Sequence, residues 1–328
     1  MKLLQLASAL VGLVLLGLMQ PALAQDWPKS PVHLIVPYPA GGGGDVLARA
    51  LGEKLAAKWQ QPIIVDNKPG AVEILGATVV AQSRPDGHTL FMSTEAALET
   101  NPFLYTKLPY DPVKDLTPIT RLTEAPFVYV VRADSPFQTL PQLINAAKAK
   151  PGKLSYGSNG VGGNIHIAVN WLAIQAGNID FLQVPYKGAV PAMQALIGGE
   201  VDFVVLPPAA VAQFVEAKRA RALATTGLAR LRSMLDVPTT VELGYKNTVV
   251  NFLFAISGPA RMPADVTRKI ASDIAAVIKQ PEFVALNLEP FGFIPVGDTP
   301  EQFAKFLQAD REIQRERVKA ANVKLDTQ

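Results

Sequence analysis

Short apolar segments alternate with amphipathic segments along most of the chain. The apolar run Val32–Val36 predicts a buried strand, and the apolar positions between residues 46 and 51 recur at helical spacing. Further strands are predicted at 62–65, 89–93, 127–131, 154–157, 181–184, 201–206, 222–226 and 251–257, and helices at 45–59, 71–82, 139–149, 164–176, 190–197, 209–217, 264–279 and 300–320. Strands that alternate with helices predict an α/β fold with mostly parallel sheets flanked by helices. Residues 101–118, rich in Pro, Tyr and Asp, are predicted to be irregular.

Two glycine-rich segments each join a predicted strand to a predicted helix. The first is Gly41 to Gly44, followed by Asp45 as the predicted helix N-cap, and the second is residues 158–163, with the sequence SNGVGG. Such a loop leaves backbone N–H groups unpaired at the helix start, where they can hold an anion or a polar group. The first loop has neither the Gly-Lys-Ser/Thr ending of a P-loop nor the spacing of a dinucleotide fingerprint. We expect the two loops to face each other across a cleft, at the carboxyl ends of their strands.

The chain is long enough for two domains, but no Gly/Ser-rich or Pro-rich linker separates two halves. Two lobes would then be joined by chain crossings within ordered structure. The strands at 127–131 and 251–257 are the best candidates for these crossings. They predict a discontinuous first lobe, residues 26–125 plus 252–328, and a second lobe, residues 126–251, with the crossing strands as the hinge.

Composition excludes several classes of protein and indicates export. The net charge is only +3, and no basic tract or aromatic–basic interleaving of the kind that nucleic-acid binding needs is present. The absence of cysteine excludes disulfides, thiolate chemistry and the acylated cysteine of a lipoprotein. Residues 1–24 have a positive start, an apolar run and a small-x-small ending at Ala22 to Ala24, which predicts a signal peptide cleaved after Ala24 rather than a membrane anchor. The mature protein is therefore expected in the periplasm, without a membrane span.

The sequence contains no spacing of His, Ser or acidic residues that is typical of a catalytic site. The three histidines share no ligand spacing, so neither a metal site nor a cofactor is predicted. Ser158 lacks the glycine two positions before it that a nucleophile elbow needs, so an exported hydrolase using Ser158 remains a weaker alternative. His166 either reaches the cleft or is structural, and Lys187 either counters a ligand's negative charge or is a solvated turn lysine.

An ordered series of short motifs resembles the tripartite tricarboxylate transporter solute-receptor family, also called the Bug receptors. The series covers nearly the whole mature chain: Tyr38-Pro39-Ala40-Gly41-Gly42 with Asp45, residues 65–71 (VDNKPGA), residues 85–90 (PDGHTL), Asn101-Pro102, residues 184–188 (VPYKG), residues 199–202 (GEVD), and residues 236–239 (DVPT) with Glu242 and Gly244. The resemblance implies a two-lobed periplasmic binding protein of the type with two crossing strands, which is not an enzyme. It also implies capture of a small carboxylated solute and delivery to the large and small subunits of a membrane permease. The protein is expected to be a monomer, and a ligand-sensing subunit of a signalling system is the main alternative.

The resemblance also implies which residues bind the solute, since the family holds its ligands mainly with loop backbone groups and small polar side chains. By position these are Tyr38, Ala40, Gly41, Gly42, Gly43, Ser93, Thr94, Glu95, Ser158, Asn159, Gly160, Gly162, His166, Leu206 and Pro207. Three positions depart from the family pattern: Val72-Glu73 replaces two glycines, Glu95 replaces a small or hydroxyl residue, and Leu206-Pro207 replaces Asp-Asn. We therefore expect Glu73, Glu95 and Leu206-Pro207 to set the selectivity. Because a buried Glu95 facing a carboxylate is costly, the ligand is predicted to carry an amine, amide, hydroxyl or apolar part rather than to be a plain dicarboxylate.

Overall fold

The computed structural model describes residues 27–70, 72–186, 188–321 and 325, and its strands form two sheets. The first sheet has the strand order β11-β4-β10-β3-β1-β2, with β1 (Val32–Val36), β2 (Ile63–Asn67), β3 (Thr89–Ser93), β4 (Leu116–Pro126), β10 (Asn251–Pro259) and β11 (Ile294–Pro295). The second has the order β7-β6-β8-β5-β9, with β5 (Val128–Arg132), β6 (Ser155–Ser158), β7 (Leu182–Pro185), β8 (Phe203–Leu206) and β9 (Ala220–Thr225). We call the part built on the six-stranded sheet the first lobe and the part built on the five-stranded sheet the second lobe.

Helices cover the faces of both sheets, as the alternation of segments predicts. They are α1 (Gly43–Trp59), α2 (Ile74–Ala81), α3 (Asn101–Leu104), α4 (Leu140–Ala149), α5 (Asn164–Gln175), α6 (Ala189–Gly198), α7 (Pro208–Glu216), α8 (Ala264–Ile278), α9 (Pro281–Asn287) and α10 (Pro300–Ala321). A π-helical turn, Ala96–Thr100, leads into α3, and 3₁₀ turns lie at Arg232–Met234 and Glu289–Phe291. The predicted signal peptide, residues 1–24, lies outside the described residues.

Both sheets are mixed, which corrects the expectation of mostly parallel sheets. Parallel pairing joins β1 to β2 and β3, and β6 to β7 and β8. Antiparallel pairing joins β10 to β3 and β4, β11 to β4, and β5 to β8 and β9. The βαβ units force parallel neighbours, whereas a strand that enters a lobe from the other lobe can run the opposite way.

The chain crosses between the lobes at two adjacent points, Phe127 and the Val250–Asn251 step. β4 ends at Pro126, which pairs with Asn251, while β5 begins at Val128 and pairs wholly within the second sheet. The predicted position of the first crossing therefore needs one refinement. The strand at 128–132 lies wholly in the second lobe, and β4 of the first lobe leads directly to the crossing at Phe127. Thr226 holds the two crossings together: its N–H donates to the Phe127 carbonyl at 2.9 Å, and its Oγ1 accepts from the Phe127 N–H and donates to the Val250 carbonyl.

Separate apolar cores stabilise the lobes. One core fills the second lobe around the buried strands β5 and β8, and two others lie on either face of the first sheet. A smaller cluster brings together Leu104 of α3, Ile167 of α5 and Val318 of α10, so that the C-terminal helix packs against both lobes. The exact lobe boundaries predicted from the sequence stay a prediction, which the membership of the strands in the two sheets supports.

Candidate functional site

The first glycine-rich loop connects β1 to α1 at the carboxyl edge of the first sheet. Ala40, Gly41, Gly42 and Gly43 are exposed, and Gly41 adopts φ +84°, which favours glycine. The predicted N-cap at Asp45 is wrong, because α1 begins two residues earlier and its N-cap is Gly42.

Asp45 fastens this loop from within the first turn of α1. The buried carboxylate accepts from the Gly41 N–H at 2.9 Å, from Arg49 Nε at 3.0 Å and from Asn67 Nδ2 at 2.9 Å. The hydrogen bond from Arg49, followed by that from Gly41, lowers the pKa of Asp45 to about 2. The carboxylate is thus fully used in holding the loop, and a role for it as a catalytic acid has no support.

Glu73 lies buried in the first lobe, where three donors converge on its carboxylate. Tyr38 Oη donates to Oε1, Thr94 Oγ1 also donates to Oε1, and the Thr94 N–H donates to Oε2 at 3.0 Å. Tyr38 and Thr94 come shortly after β1 and β3, so these donors meet at the carboxyl edge of the sheet. The backbone there is unusual, since Val72 has φ +50° and Glu73 has φ +71°. Both values lie in the left-handed region, where a β-branched residue such as Val72 is strained.

Burial governs the protonation of this pair. Desolvation raises the pKa of Glu73, while the hydrogen bonds from Thr94 and Tyr38 oppose the rise. The pKa of the Tyr38 phenol is raised well above its usual range, first by burial and then by the nearby Glu73 carboxylate. Tyr38 therefore stays protonated and acts as a donor to Glu73.

Glu95, at the start of the π-helical turn, joins the two lobes directly. Its Oε1 accepts from Asn164 Nδ2 at 3.1 Å, and its Oε2 accepts from the Leu253 N–H at 3.2 Å. Asn164 is the first residue of α5 in the second lobe. Burial raises the pKa of Glu95 to about 7, against the lowering effect of these hydrogen bonds. Ser93 next to this segment is also fully buried, and its Oγ has no hydrogen-bond partner among the described residues.

The second glycine-rich loop is held by side chains that the sequence assigned to ligand binding. Ser158 Oγ accepts from Gln183 Nε2 at 2.8 Å and from the Gly160 N–H at 3.2 Å. The buried His166 accepts from the Gly162 N–H through Nδ1 at 2.9 Å, and burial lowers the pKa of its imidazole. Both side chains therefore shape the loop.

Asn159 and Gly160 complete the second loop. Asn159 is exposed, and its Nδ2 donates to Asn164 Oδ1 at 3.0 Å, which continues the hydrogen-bonded chain that ends on Glu95. Gly160 and Gly162 adopt φ +112° and +78°, so the loop needs glycine at both positions.

Two further predicted positions lie at the end of β8. Leu206 is fully buried in the core of the second lobe and pairs with Val128, while Pro207 is half-buried and is the N-cap of α7. Lys187, considered as a counter-charge, lies outside the described residues.

The structure brings Tyr38, Thr94 and Glu95 together with the second loop through Asn164. The sequence does not place Glu73 or Asn164 among the predicted binding residues, although Glu73 departs from the family pattern. What could have indicated a role for Glu73 is that a carboxylate stands there where the family usually has glycine. Nothing local in the sequence indicated the pairing of Asn164 with Glu95, because the two residues are 69 positions apart.

Two absences hold for the described part of the chain. Within residues 27–70, 72–186 and 188–321, no group of three or more His, Asp or Glu side chains is placed to hold a metal ion. No helix in the same ranges combines the length and the apolar character that crossing a membrane requires.

The comparison with known families agrees with this arrangement. Residues 47–323 match the family model TctC, tripartite tricarboxylate transporter family receptor. The chain belongs to this family. The receptor is 36% identical over 302 residues to a UPF0065 protein of Cupriavidus necator, a match that covers 92% of this chain and 90% of the relative.

Solved structures share the two-lobed fold of the receptor. Rpa4515 of R. palustris, solved with adipate, has a TM-score of 0.81 at 26% identity, and the periplasmic binding protein BugD has a TM-score of 0.77 at 28% identity. Each match covers 92% of this chain and 100% of the other. The family resemblance and the two-lobed α/β fold predicted from the sequence are thus confirmed, with mixed sheets in place of mostly parallel ones. Since the family and these neighbours are solute-binding receptors, the receptor is not an enzyme.

Proposed function

We propose that the receptor captures a small polar organic solute of carboxylate or related type between its lobes and delivers it to a tripartite tricarboxylate-type permease with large and small membrane subunits. The observation that carries this proposal is the hydrogen bond between Glu95 of the first lobe and Asn164 of the second. It puts the end of β3 next to the start of α5. These are the places where ligands bind in α/β sheets, and here they face each other across the two lobes.

Capture is a hinge motion without chemistry. We take the lobes as residues 26–125 plus 252–328 and residues 126–251, closing about the crossings at Phe127 and Val250. A solute that contacts both lobes favours the closed form, because it has more contacts there than in the open form. The permease then recognises the closed surface.

The binding groups come from both glycine-rich loops and from the first-lobe wall, the surface formed by Tyr38, Glu73, Thr94 and Glu95 at the carboxyl edge of the first sheet. We assign this role to the backbone of Ala40, Gly41, Gly42 and Gly43, to Tyr38, Ser93, Thr94 and Glu95, to the second loop with Ser158, Asn159, Gly160, Gly162 and His166, and to Leu206 and Pro207. The polar groups of Tyr38, Thr94, Ser158 and His166 are already hydrogen-bonded within the protein, so we assign these side chains an indirect role, in which they shape the surface that the solute contacts.

The receptor acts in the periplasm as a monomer, after cleavage of residues 1–24. Support comes from the signal-like composition of that segment and from the periplasmic location of BugD. Amino-terminal sequencing of the protein from its own periplasm should begin at Gln25.

Native mass spectrometry of protein purified from its own periplasm tests the capture. A retained small molecule of fixed mass, bound one to one, is the expected result. A thermal-shift screen with the identified compound should then show stabilisation of about 2.7 kcal/mol at about 100 times the dissociation constant. A protein that carries no small molecule, and that no carboxylate, amide or amino acid stabilises, would contradict the proposal.

Uptake measurements test the link to a permease. A strain that lacks the receptor should lose uptake of the identified solute and regain it with the wild-type chain. Asn164→Ala should restore less uptake, whereas Asn287→Ala, at the last residue of α9 and outside both glycine-rich loops, should restore it fully. Unchanged uptake in the deletion strain would argue against delivery to a permease.

A further inference from the structure

Three hydrogen-bond donors of the first-lobe wall converge on one point. They are Tyr38 Oη, the Thr94 N–H and Thr94 Oγ1, and all three donate to the Glu73 carboxylate. Several converging neutral donors are the means by which proteins hold a carboxylate without a cation. In this chain the protein's own Glu73 carboxylate occupies the point where the donors converge, and the side chain is buried, only 4% exposed.

The backbone around Glu73 is kept in a conformation that its side chains disfavour. Val72 and Glu73 have φ values of +50° and +71°, a region that suits glycine. Strained residues of this kind persist only where the surrounding contacts over-determine them. The contacts that do so here are those of the Glu73 carboxylate with Tyr38 and Thr94.

A second carboxyl group, Glu95, lies on the same wall. Glu73 is bonded by Tyr38, Thr94 and the backbone of Ala97, and Glu95 is bonded by Asn164 and the Leu253 N–H; none of these groups carries a charge. Burial is the main cause that raises the pKa of Glu95, and the Glu73 carboxylate adds a smaller rise, as expected for two like charges on one wall. A solute carboxylate at this wall would meet like charge and would find the three convergent donors already occupied.

We propose that Glu73 is a specificity-determining residue that fills the anion position of the first-lobe wall, so that the solute presents a hydrogen-bond donor there instead of a second carboxylate. The class of solute is a monocarboxylate whose far end carries an amide, hydroxyl or ammonium group that donates to Glu95. The inference rests on the proposed function, because it concerns the selectivity of the same cleft.

Matched ligands test the inference by isothermal titration calorimetry. The probes are adipate, its monoamide and 6-aminohexanoate, together with the same three forms built on succinate. In the wild-type protein, the amide or amino form should bind at least about tenfold more tightly than the dicarboxylate of equal length, since a good charge-assisted hydrogen bond accounts for such a factor.

Substitution of Glu73 supplies the decisive comparison. Glu73→Gly suits φ +71° and frees the three donors, so dicarboxylate binding should rise about tenfold or more and the order of preference should reverse. Glu73→Gln removes the charge but keeps the position filled, so dicarboxylate binding should rise much less than in Glu73→Gly. Val72→Gly is the matched control, because it relieves the neighbouring backbone and retains the carboxylate. It should keep the wild-type order.

Three results would overturn the inference: a wild-type preference for the dicarboxylates, an unchanged order in Glu73→Gly, or no binding of either set of probes by any of these proteins. Circular dichroism spectra of all variants establish that they are folded. If native mass spectrometry shows a retained solute while the order of the probes is contrary to expectation, only the assignment of Glu73 fails. If the protein retains and binds nothing, the proposed function fails with it.

Discussion

Replacing Glu95 by glutamine should change how the stability of the receptor depends on pH. The folded-state pKa of Glu95 is raised to about 7 from the ordinary 4.5, with burial as the main cause. An acid whose pKa is raised on folding binds more protons in the folded state than in the unfolded state between these two values. Stability from this group is therefore present below about pH 4.5 and is lost as the pH rises to about 7. At 1.36 kcal/mol for each pH unit, the loss amounts to about 3 kcal/mol.

Urea unfolding of the wild type and of Glu95→Gln between pH 4.5 and pH 8 measures this effect. The free energy of unfolding of the wild type should fall relative to that of the variant by about 3 kcal/mol across the range. Glu73 and Glu99 also have pKa values raised by burial, but both proteins contain them, so their contributions largely cancel in the difference.

Glu242→Gln is the control, because the pKa of Glu242 is lowered on folding whereas that of Glu95 is raised. The hydrogen bond from Thr239, followed by that from Arg230, lowers the pKa of Glu242. Its contribution to stability is present above the ordinary pKa of 4.5 and is lost only as the pH falls below that value, so its removal should weaken the protein almost equally from about pH 5 to pH 8. A difference between the wild type and Glu95→Gln that stays constant from pH 4.5 to pH 8 would refute the reasoning, because Glu95 would then titrate alike in the folded and unfolded states.

Three further substitutions test the loops and the hinge by thermal or urea unfolding. Val72→Gly should stabilise the protein by about 1 kcal/mol, because it relieves backbone strain at φ +50° and this gain exceeds the cost of the greater conformational entropy that glycine has in the unfolded state. A loss of stability would contradict this. Thr226→Val should cost about 1–3 kcal/mol, because the Phe127 N–H loses its buried acceptor; Thr226→Ser, which keeps the hydroxyl, should cost less. His166→Ala should cost a similar amount through the unpaired Gly162 N–H, while equal stability of the wild type and the alanine variant would show that the imidazole does not hold the loop.

The elements with strong apolar patterns could be predicted from the sequence. The bounds of β1 and β3 agree with the prediction at both ends, and β10 was predicted from its apolar start. β4 was missed, because LTPITRLTEAP contains two prolines and two charged residues. Its strand character depends on pairing with β10, a partner more than 120 residues away in the chain. Local propensity cannot report a contact of that kind.

The candidate site was predictable in its loops but not in its connections. Glycine content indicated the loops around Gly41 and Gly160, and the departures from the family pattern pointed to Glu73 and Glu95. The sequence could not show that Glu73 keeps a left-handed backbone, because Glu rarely adopts one. The sequence also could not show that Ser158 Oγ accepts a hydrogen bond from Gln183 Nε2. A loop serine uses the same hydroxyl whether it binds a ligand or holds the loop, so its role cannot be read from its residue type.

The two crossings held together by Thr226 have a consequence for affinity. Association of two free bodies loses translational and rotational entropy, and that loss is paid out of the interaction free energy. Here two adjacent chain segments, bonded to each other through one side chain, already restrict how the lobes can move relative to each other. Most of the disorder of the lobes is therefore removed when the chain folds. A small solute with few contacts on each lobe can therefore still bind with high affinity, because its binding costs only the entropy of the limited bending motion between the lobes.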